Sequence, residues 1–209
     1  MPKFFYFDLG NVLLTFDHHT ACVQLGELVG VPPAKVWEVM FASALQARYE
    51  RGLISSRRVY ETFCQQCCDD PRNWPEYRQF HLAHSDIFRL HVPLMPIATQ
   101  LYATGYPLGI LSNTCEEHWK HIHDARFPVL ARLFRVAVLS YQQGDSKPEP
   151  GIYEAAARRA GVEPEEVFFV DDREENVEGA RQAGLDAVRF RTPQQLAAAL
   201  RSRGVRFNY

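Results

Sequence analysis

Two short acidic stretches offer most of the chemistry in this chain. Phe7-Asp8-Leu9-Gly10-Asn11 lies near one end and Phe169-Val170-Asp171-Asp172 near the other. Each is an apolar run of strand type that stops at carboxylate. An unpaired charge inside a strand costs several kcal/mol, so these acids belong at strand ends, facing a cleft. Three carboxylates from two strand ends, with Lys147 between them in sequence, make a set suited to Mg²⁺ and phosphate. Mg²⁺ takes octahedral oxygen ligands and joins carboxylates to a phosphate oxygen. A carboxylate can also attack phosphorus in line, dividing one hard step into two. A lysine and a hydroxyl then hold the remaining phosphate oxygens. Lys147 and Ser112, the latter closing another apolar run, fill those roles.

Each residue alone has a plainer explanation. Asp8 could cap a strand, Ser112-Asn113 is an ordinary helix N-cap pair, Lys147-Pro148 could open a helix, and Asp171-Asp172 could cap the next one. Found in this order, each at a strand-to-loop edge, they point to one cleft.

The elements that must position them follow from periodicity. Strands are expected at Lys3 to Asp8, Tyr106 to Leu111, Phe134 to Leu139, Val167 to Val170 and Ala187 to Phe190. Helices alternate with the later strands: Leu94 to Thr104, one following Ser112-Asn113-Thr114 through about His123, Pro148 to Ala160, Glu174 to Ala183 and Pro193 to Arg203. Alternation of this kind predicts an α/β fold: a parallel, Rossmann-like sheet flanked by helices. Strands this apolar fit a sheet buried on both faces. From Asp17 to about Leu90 the pattern is helical instead: Thr20 to Val29, Ala34 to Ala47, Ser56 to Cys68 and Pro75 to Phe88. Val12-Leu13-Leu14 reads as a short turn or flap before it, and Ser55 or Ser56 suits an N-cap. The division expected is a core of residues 1–16 and 91–209 and a small helical cap of 17–90, inserted after the first strand over the edge where such sheets bind ligands.

With 209 residues the chain can form one such core plus an inserted module. The hydrophobic share of 46% and charged share of 23% are those of a soluble globular protein, and a net charge of −2 argues against nucleic-acid binding by charge. Apolar runs fall short of the ~20 residues a membrane helix needs, and strand-like residues from Phe4 leave no room for a signal peptide. Cys22, Cys64, Cys67, Cys68 and Cys115 form no disulfide framework, so a reducing, cytoplasmic setting is expected. Cys64-x-x-Cys67-Cys68, with His81 and His84 nearby, invites a zinc reading, but thiols on an amphipathic helix are more often simply packed.

Over essentially its whole length the chain resembles the haloacid dehalogenase-like hydrolase superfamily. Phe7-Asp8-Leu9-Gly10-Asn11-Val12 resembles that superfamily's first motif, Ser112-Asn113-Thr114 its second and Lys147-Pro148-Glu149-Pro150 its third. Asp171-Asp172, with Asn176 and Gly179-Ala180, resembles the fourth. The Asp-Leu-Gly-Asn and Ser-Asn-Thr variants look most like its sugar-phosphate phosphatases, the α-glucose-1-phosphatase type in particular. The resemblance implies a phosphatase of small phosphomonoesters, monomeric or homodimeric, with Asp8 as the nucleophile. It implies Mg²⁺ on Asp8 and Asp172, with Asp171 close by and the backbone carbonyl of Gly10 contributing. Ser112, Asn113 and Lys147 would bind the phosphoryl group, and the inserted helices would be a mobile cap. Arg48 and Glu50 would touch substrate, through the likeness of Tyr49-Glu50-Arg51-Gly52.

The chain departs from the pattern at Gly10, where such phosphatases commonly carry a second aspartate as general acid and base. Loss of a proton donor typically costs ~10² to 10⁴ in rate, although a good leaving group such as an anomeric oxygen needs it less. Asp17, His18, His19 and Glu50 are the candidates to replace it. Two other readings compete: a 2-haloacid dehalogenase, which needs neither metal nor second aspartate, and a non-catalytic member that binds phosphate only. The paired Asp171-Asp172 favours the metal-dependent phosphatase over the first, and retention of Asp8, Lys147 and both aspartates argues against the second.

Overall fold

The computed structural model describes residues 1–208, with backbone alone at Ala125. Five strands form the central sheet: β1 (Phe4–Phe7), β4 (Leu108–Ser112), β5 (Val136–Leu139), β6 (Val167–Asp171) and β7 (Asp186–Arg189). Their order is β5-β4-β1-β6-β7, and every pairing is parallel. A central parallel strand is covered on both faces, which is why Phe-Phe-Tyr-Phe carries no polar alternation. Its side chains nonetheless divide between layers. Phe5 and Phe7 pack with Ile110, Phe168 and Val170, while Phe4 and Tyr6 pack with Leu111, Phe169, Ile152 and Tyr153.

Between β1 and β4 the chain leaves the sheet along β2 (Leu14–Phe16) and returns along β3 (Phe88–Leu90). These pair antiparallel, Leu14 with Leu90 and Phe16 with Phe88, as a two-stranded ribbon at the foot of the insertion. Five helices lie between them: α1 (His18–Val29), α2 (Pro33–Trp37), α3 (Leu45–Glu50), α4 (Ser56–Cys67) and α5 (Tyr77–Ser85). Asp17 caps α1 by accepting from the His19 N–H at 2.9 Å, and Ser55 caps α4 by accepting from Arg58 N–H at 3.2 Å. Their apolar faces meet in a cluster of their own that includes Leu25, Met40, Tyr49, Phe63 and Phe80. Cys115, from beyond β4, is its one buried member outside residues 17–90.

The remaining helices cover the sheet: α6 (Met95–Ala103), α7 (Glu116–Lys120), α8 (Pro128–Leu133), α9 (Ser140–Gln143), α10 (Pro150–Ala160), α11 (Glu174–Gln182) and α12 (Pro193–Arg201). Strand and helix order agree with the periodicity, but four details do not. The helix expected over Ala34 to Ala47 is broken: α2 widens into a π-turn over Glu38–Ala42, and Ala44 turns left-handed at φ 62°. Ser43 accounts for the break, since its hydroxyl donates to Val39 C=O at 2.5 Å and competes with the backbone ladder. Val12 to Leu14 and Phe88, expected as flap and helix end, meet at the ribbon, because only tertiary pairing makes strands of such short runs. The short helices α8 and α9 have too few turns to show a period.

Candidate active site

Backbone hydrogen bonding carries β1 one step past its end, with Asp8 N–H donating to Val170 C=O at 3.0 Å. This sets Asp8 beside the carboxyl end of β6. Lys147 enters from the loop between α9 and α10 and is buried to 4% exposure between the two strands. Its ammonium contacts Asp8 Oδ1 at 2.8 Å and Asp171 Oδ2 at 2.6 Å, and donates to Leu111 C=O at 3.0 Å. All three of its donors are thus used. Asp171, wholly buried, is further held by Arg173 N–H at 2.9 Å and by the Asn176 amide at 3.0 Å. Asp172 is half-buried at the rim, where the Asn11 amide donates to it at 3.0 Å.

One oxygen from each of Asp8, Asp171 and Asp172 lies within 4.8 Å of the others. Burial pushes Asp8 up to about 7; Lys147 pulls it back, while Asp171 and Asp172 add to the rise. Burial opposes the charge on Lys147 too, yet the two carboxylates outweigh it and its pKa rises. Three carboxylates against one ammonium leave the cradle short of positive charge. Hard oxygen donors at close range and a deficit of this sign fit a divalent cation such as Mg²⁺. Asp8 and Asp172 have the freer oxygens, whereas Asp171 is occupied in bracing Lys147.

Ser112 closes β4 and is buried to 2% exposure. Asn113 is placed differently from its expected role: its side chain clasps the Lys147 backbone, donating to Lys147 C=O at 2.9 Å and accepting from Lys147 N–H at 2.8 Å. It ties the lysine loop to β4. Leu9, Gly10, Phe16, His18, Glu50, Phe88, Ser112, Asn113, Thr114, His118 and Ile122 line that cleft, a space of about 50 Å³. A larger cavity of about 600 Å³ lies at the opposite, amino edge of the sheet, between Phe4, Tyr106 and Arg135, and no carboxylate lines it.

Of the candidate proton donors, His18 and Glu50 reach the cleft and His19 stays exposed. His18 stacks on Phe41 with centroids 4.5 Å apart, and burial lowers its pKa. Glu50 is pushed up to about 7 by burial, against the pull of the Gln46 amide at 2.9 Å and the more distant Arg173. Arg48 is exposed on α3 and is not brought to the cleft. Gly10 has a physical reason: a Cβ there would lie 2.7 Å from the Phe16 ring. The aromatic ring of the ribbon occupies the direction in which an aspartate at position 10 would grow.

Three residues that matter here escaped the sequence reading. Ser140, wholly buried at the end of β5, donates to Glu50 C=O at 2.5 Å and accepts from Thr114 N–H at 2.9 Å. It locks α3 onto the loop after β4. Next to it the turn at Gly52 (φ 69°) presses on Tyr141, where a Cβ would lie 2.2 Å from a carbonyl. Arg51 and Glu149 pair across the same seam. The strand-end rule applied to Asp8 would have found Ser140. No local signal marks Gln46 or His118. Cys64 and Cys67 pack inside the helical cluster, as thiols on an amphipathic helix usually do, and burial raises both, to about 12 and about 11.

Comparison with known proteins identifies the fold and the family. Glyceraldehyde 3-phosphate phosphatase of Methanopyrus kandleri is 36% identical over 100 residues, which are 47% of this chain and 42% of that protein. Acyl-CoA dehydrogenase family member 10 of Mus musculus is 26% identical over 70% of this chain but only 14% of its own length. The chain thus spans less than half of each of these relatives. A HAD family enzyme of Bacteroides thetaiotaomicron, solved with magnesium and inorganic phosphate, superimposes with a TM-score of 0.79 at 24% identity, over 92% of this chain and 96% of that one. A 2-haloacid dehalogenase of Pseudomonas syringae pv. Tomato gives 0.70 at 19% identity, over 97% and 100%. Such neighbours share the fold. No helix among the described residues is long and apolar enough to cross a membrane. Residues 3–184 match the family of haloacid dehalogenase-like hydrolases, and the chain is a member of that family.

Proposed function

We propose that this hydrolase is a Mg²⁺-dependent phosphatase of small phosphomonoesters, sugar phosphates foremost, that passes the phosphoryl group through Asp8. One observation carries the reading: a buried Asp8–Lys147–Asp171 cradle, with Asp172 at its rim, that has one ammonium for three carboxylates. A catalyst that only displaced halide would have no use for that deficit. The phosphatase relative from Methanopyrus and the magnesium and phosphate in the Bacteroides enzyme support the same choice.

Asp8 Oδ1 is held by Lys147 and by Leu9 N–H at 2.7 Å, so Oδ2 is the free nucleophile. It attacks phosphorus while the ester oxygen leaves. Mg²⁺ on Asp8 and Asp172, with Asp171 behind, would supply positive charge to the phosphoryl oxygens. Ser112 and the backbone of Asn113 would orient that group. Glu50, neutral up to about pH 7, gives its proton to the leaving oxygen in place of the aspartate missing at Gly10. As carboxylate it then takes a proton from the water that attacks the aspartyl-phosphate, which frees phosphate and restores both acids.

Phosphate release from a panel of sugar phosphates, with and without Mg²⁺, beside an Asp8→Asn variant, tests this. Turnover that needs both Mg²⁺ and Asp8 is expected. Chloride release from 2-haloacids without phosphate release would replace the reading with the dehalogenase one.

A further inference from the structure

His84, which the sequence offered as a possible partner for the thiols of α4, meets Cys115. His84 lies in the last turn of α5 in the helical insertion, Cys115 precedes α7, and His118 lies within α7. One ligand atom from each lies within 4.8 Å of the other two, and the residues are 0%, 0% and 3% exposed. This group shares no residue with the aspartate cradle. Its donors are two imidazoles and a thiol, a softer set than three carboxylates.

The hydrogen bonds around the imidazoles leave one nitrogen of each at liberty. His84 Nε2 pairs with Gln46 Oε1 at 3.0 Å, an oxygen that can only accept, because the Gln46 amide nitrogen donates to Glu50. His84 Nε2 therefore carries the proton, and its Nδ1 is a bare lone pair. That atom is fully buried and has no hydrogen-bond partner among the described residues. His118 Nε2 lies 3.3 Å from the His84 carbonyl and must likewise donate, which leaves its Nδ1 unprotonated too. An outer hydrogen bond that fixes the tautomer and frees the opposite nitrogen is how metal-ligating histidines are held. A buried nitrogen without a partner is costly otherwise.

We propose that His84, Cys115 and His118 form a second metal site, for a thiophilic divalent ion of the Zn²⁺ class, across the seam between the helical insertion and the sheet domain. The rings now stack, with centroids 4.3 Å apart and 23° from parallel. Coordination turns one imidazole about its Cβ–Cγ bond, and His84 Nδ1 gives up no hydrogen bond in the turn. Cys115 loses its thiol proton to solvent as the sulfur–metal bond forms, and both nitrogens bind without proton change. Three protein ligands would leave a fourth position for a water, and His118 also lines the cleft. His84 comes from one side of the seam and Cys115 and His118 from the other, so the ion staples the two together.

Titration of the full chain with Co²⁺ in the presence of excess Mg²⁺ tests the site without reference to catalysis. One equivalent giving a thiolate-to-cobalt charge-transfer band, displaced by Zn²⁺, is expected. Cys115→Ser should abolish the band and weaken Zn²⁺ by at least about 100-fold, more than loss of an outer partner costs. Affinity should rise about tenfold per pH unit, because one thiol proton leaves. An Asp8→Asn/Asp172→Asn variant should keep the band. Absence of a band would overturn the proposal, as would a band that survives Cys115→Ser and vanishes in Cys67→Ser/Cys68→Ser. If Cys115→Ser does not fold, anomalous scattering at the zinc edge from wild-type crystals decides: a peak among the three residues sustains the site, and one elsewhere ends it.

Discussion

Asp8 and Glu50 stand in two differently built regions beside one cleft, and burial pushes both carboxyls up to about 7. The remedies differ. Asp8 has an ammonium at 2.8 Å and two more carboxylates beside it, an arrangement that a divalent cation completes. Glu50 has the neutral Gln46 amide at 2.9 Å and no cation at contact distance. A divalent cation held at the cradle would return Asp8 to the carboxylate a nucleophile must be. Glu50 keeps its proton. The same upward push on two carboxyls would thus give a nucleophile in the sheet region and an acid in the helical one, and the difference rests on the neighbours.

Removing the cation from the first region should have the largest effect. Lys147→Met leaves Asp8 and Asp171 buried face to face, and a loss of about 3–5 kcal/mol is expected in urea denaturation. Adding Asp171→Asn should recover part of it. A near-neutral Lys147→Met would mean that the cradle is already hydrated and that the contrast with Glu50 is false.

Glu50→Gln strikes the other region. Turnover should fall about 10²-fold for poor leaving groups and less for anomeric phosphates, and the decline of wild-type kcat above about pH 7 should vanish. Stability should move the opposite way. A folded pKa raised above the ordinary carboxylate value favours the protonated form, so wild-type stability falls as pH rises through that range towards about 7. At pH 8 the glutamine variant should therefore be the more stable, by on the order of 2 kcal/mol, checked by melting at pH 5 and pH 8. A variant as active as wild type would return the search for the acid to His18.

The link between the regions comes next. Ser140→Ala leaves the buried Thr114 N–H without its acceptor and frees Glu50 C=O, at a cost of about 1–3 kcal/mol. Because Glu50 loses its tether, kcat should suffer more than KM. His18→Ala should change least, under about fivefold, since burial keeps that imidazole neutral and a poor acid near pH 7. A strong loss in steady-state kinetics would reverse the assignment of the donor.

Legibility in the sequence follows the same divide. Asp8, Ser112, Asp171 and Asp172 each interrupt an apolar run, and a buried strand leaves a polar residue only its end to occupy. Parallel strands put those ends on one edge, so the cradle could be assembled on paper. Glu50 and His18 were only candidates among several. Gln46 and His118 look like ordinary helix residues, and Arg48, which shares its segment with Glu50, points away. On a helix the face a residue presents depends on what packs there, and the break at Ser43–Ala44 turned α3 out of the register that one continuous helix would have had.

By itself the sequence determined the alternation of five apolar strands with helices and the carboxylates that close β1 and β6. These are local matters of hydrophobic period and of the cost of burying charge. The tertiary structure alone decided that Asn113 clasps the lysine loop and that Phe16 fills the space beside Gly10. It also decided that Ser140 locks Glu50 in place, and that His84 meets Cys115 and not the thiols of α4. Each of these joins residues far apart in the chain across the seam between helices and sheet, and packing there is set by shape and by hydrogen-bond partners that no local pattern encodes.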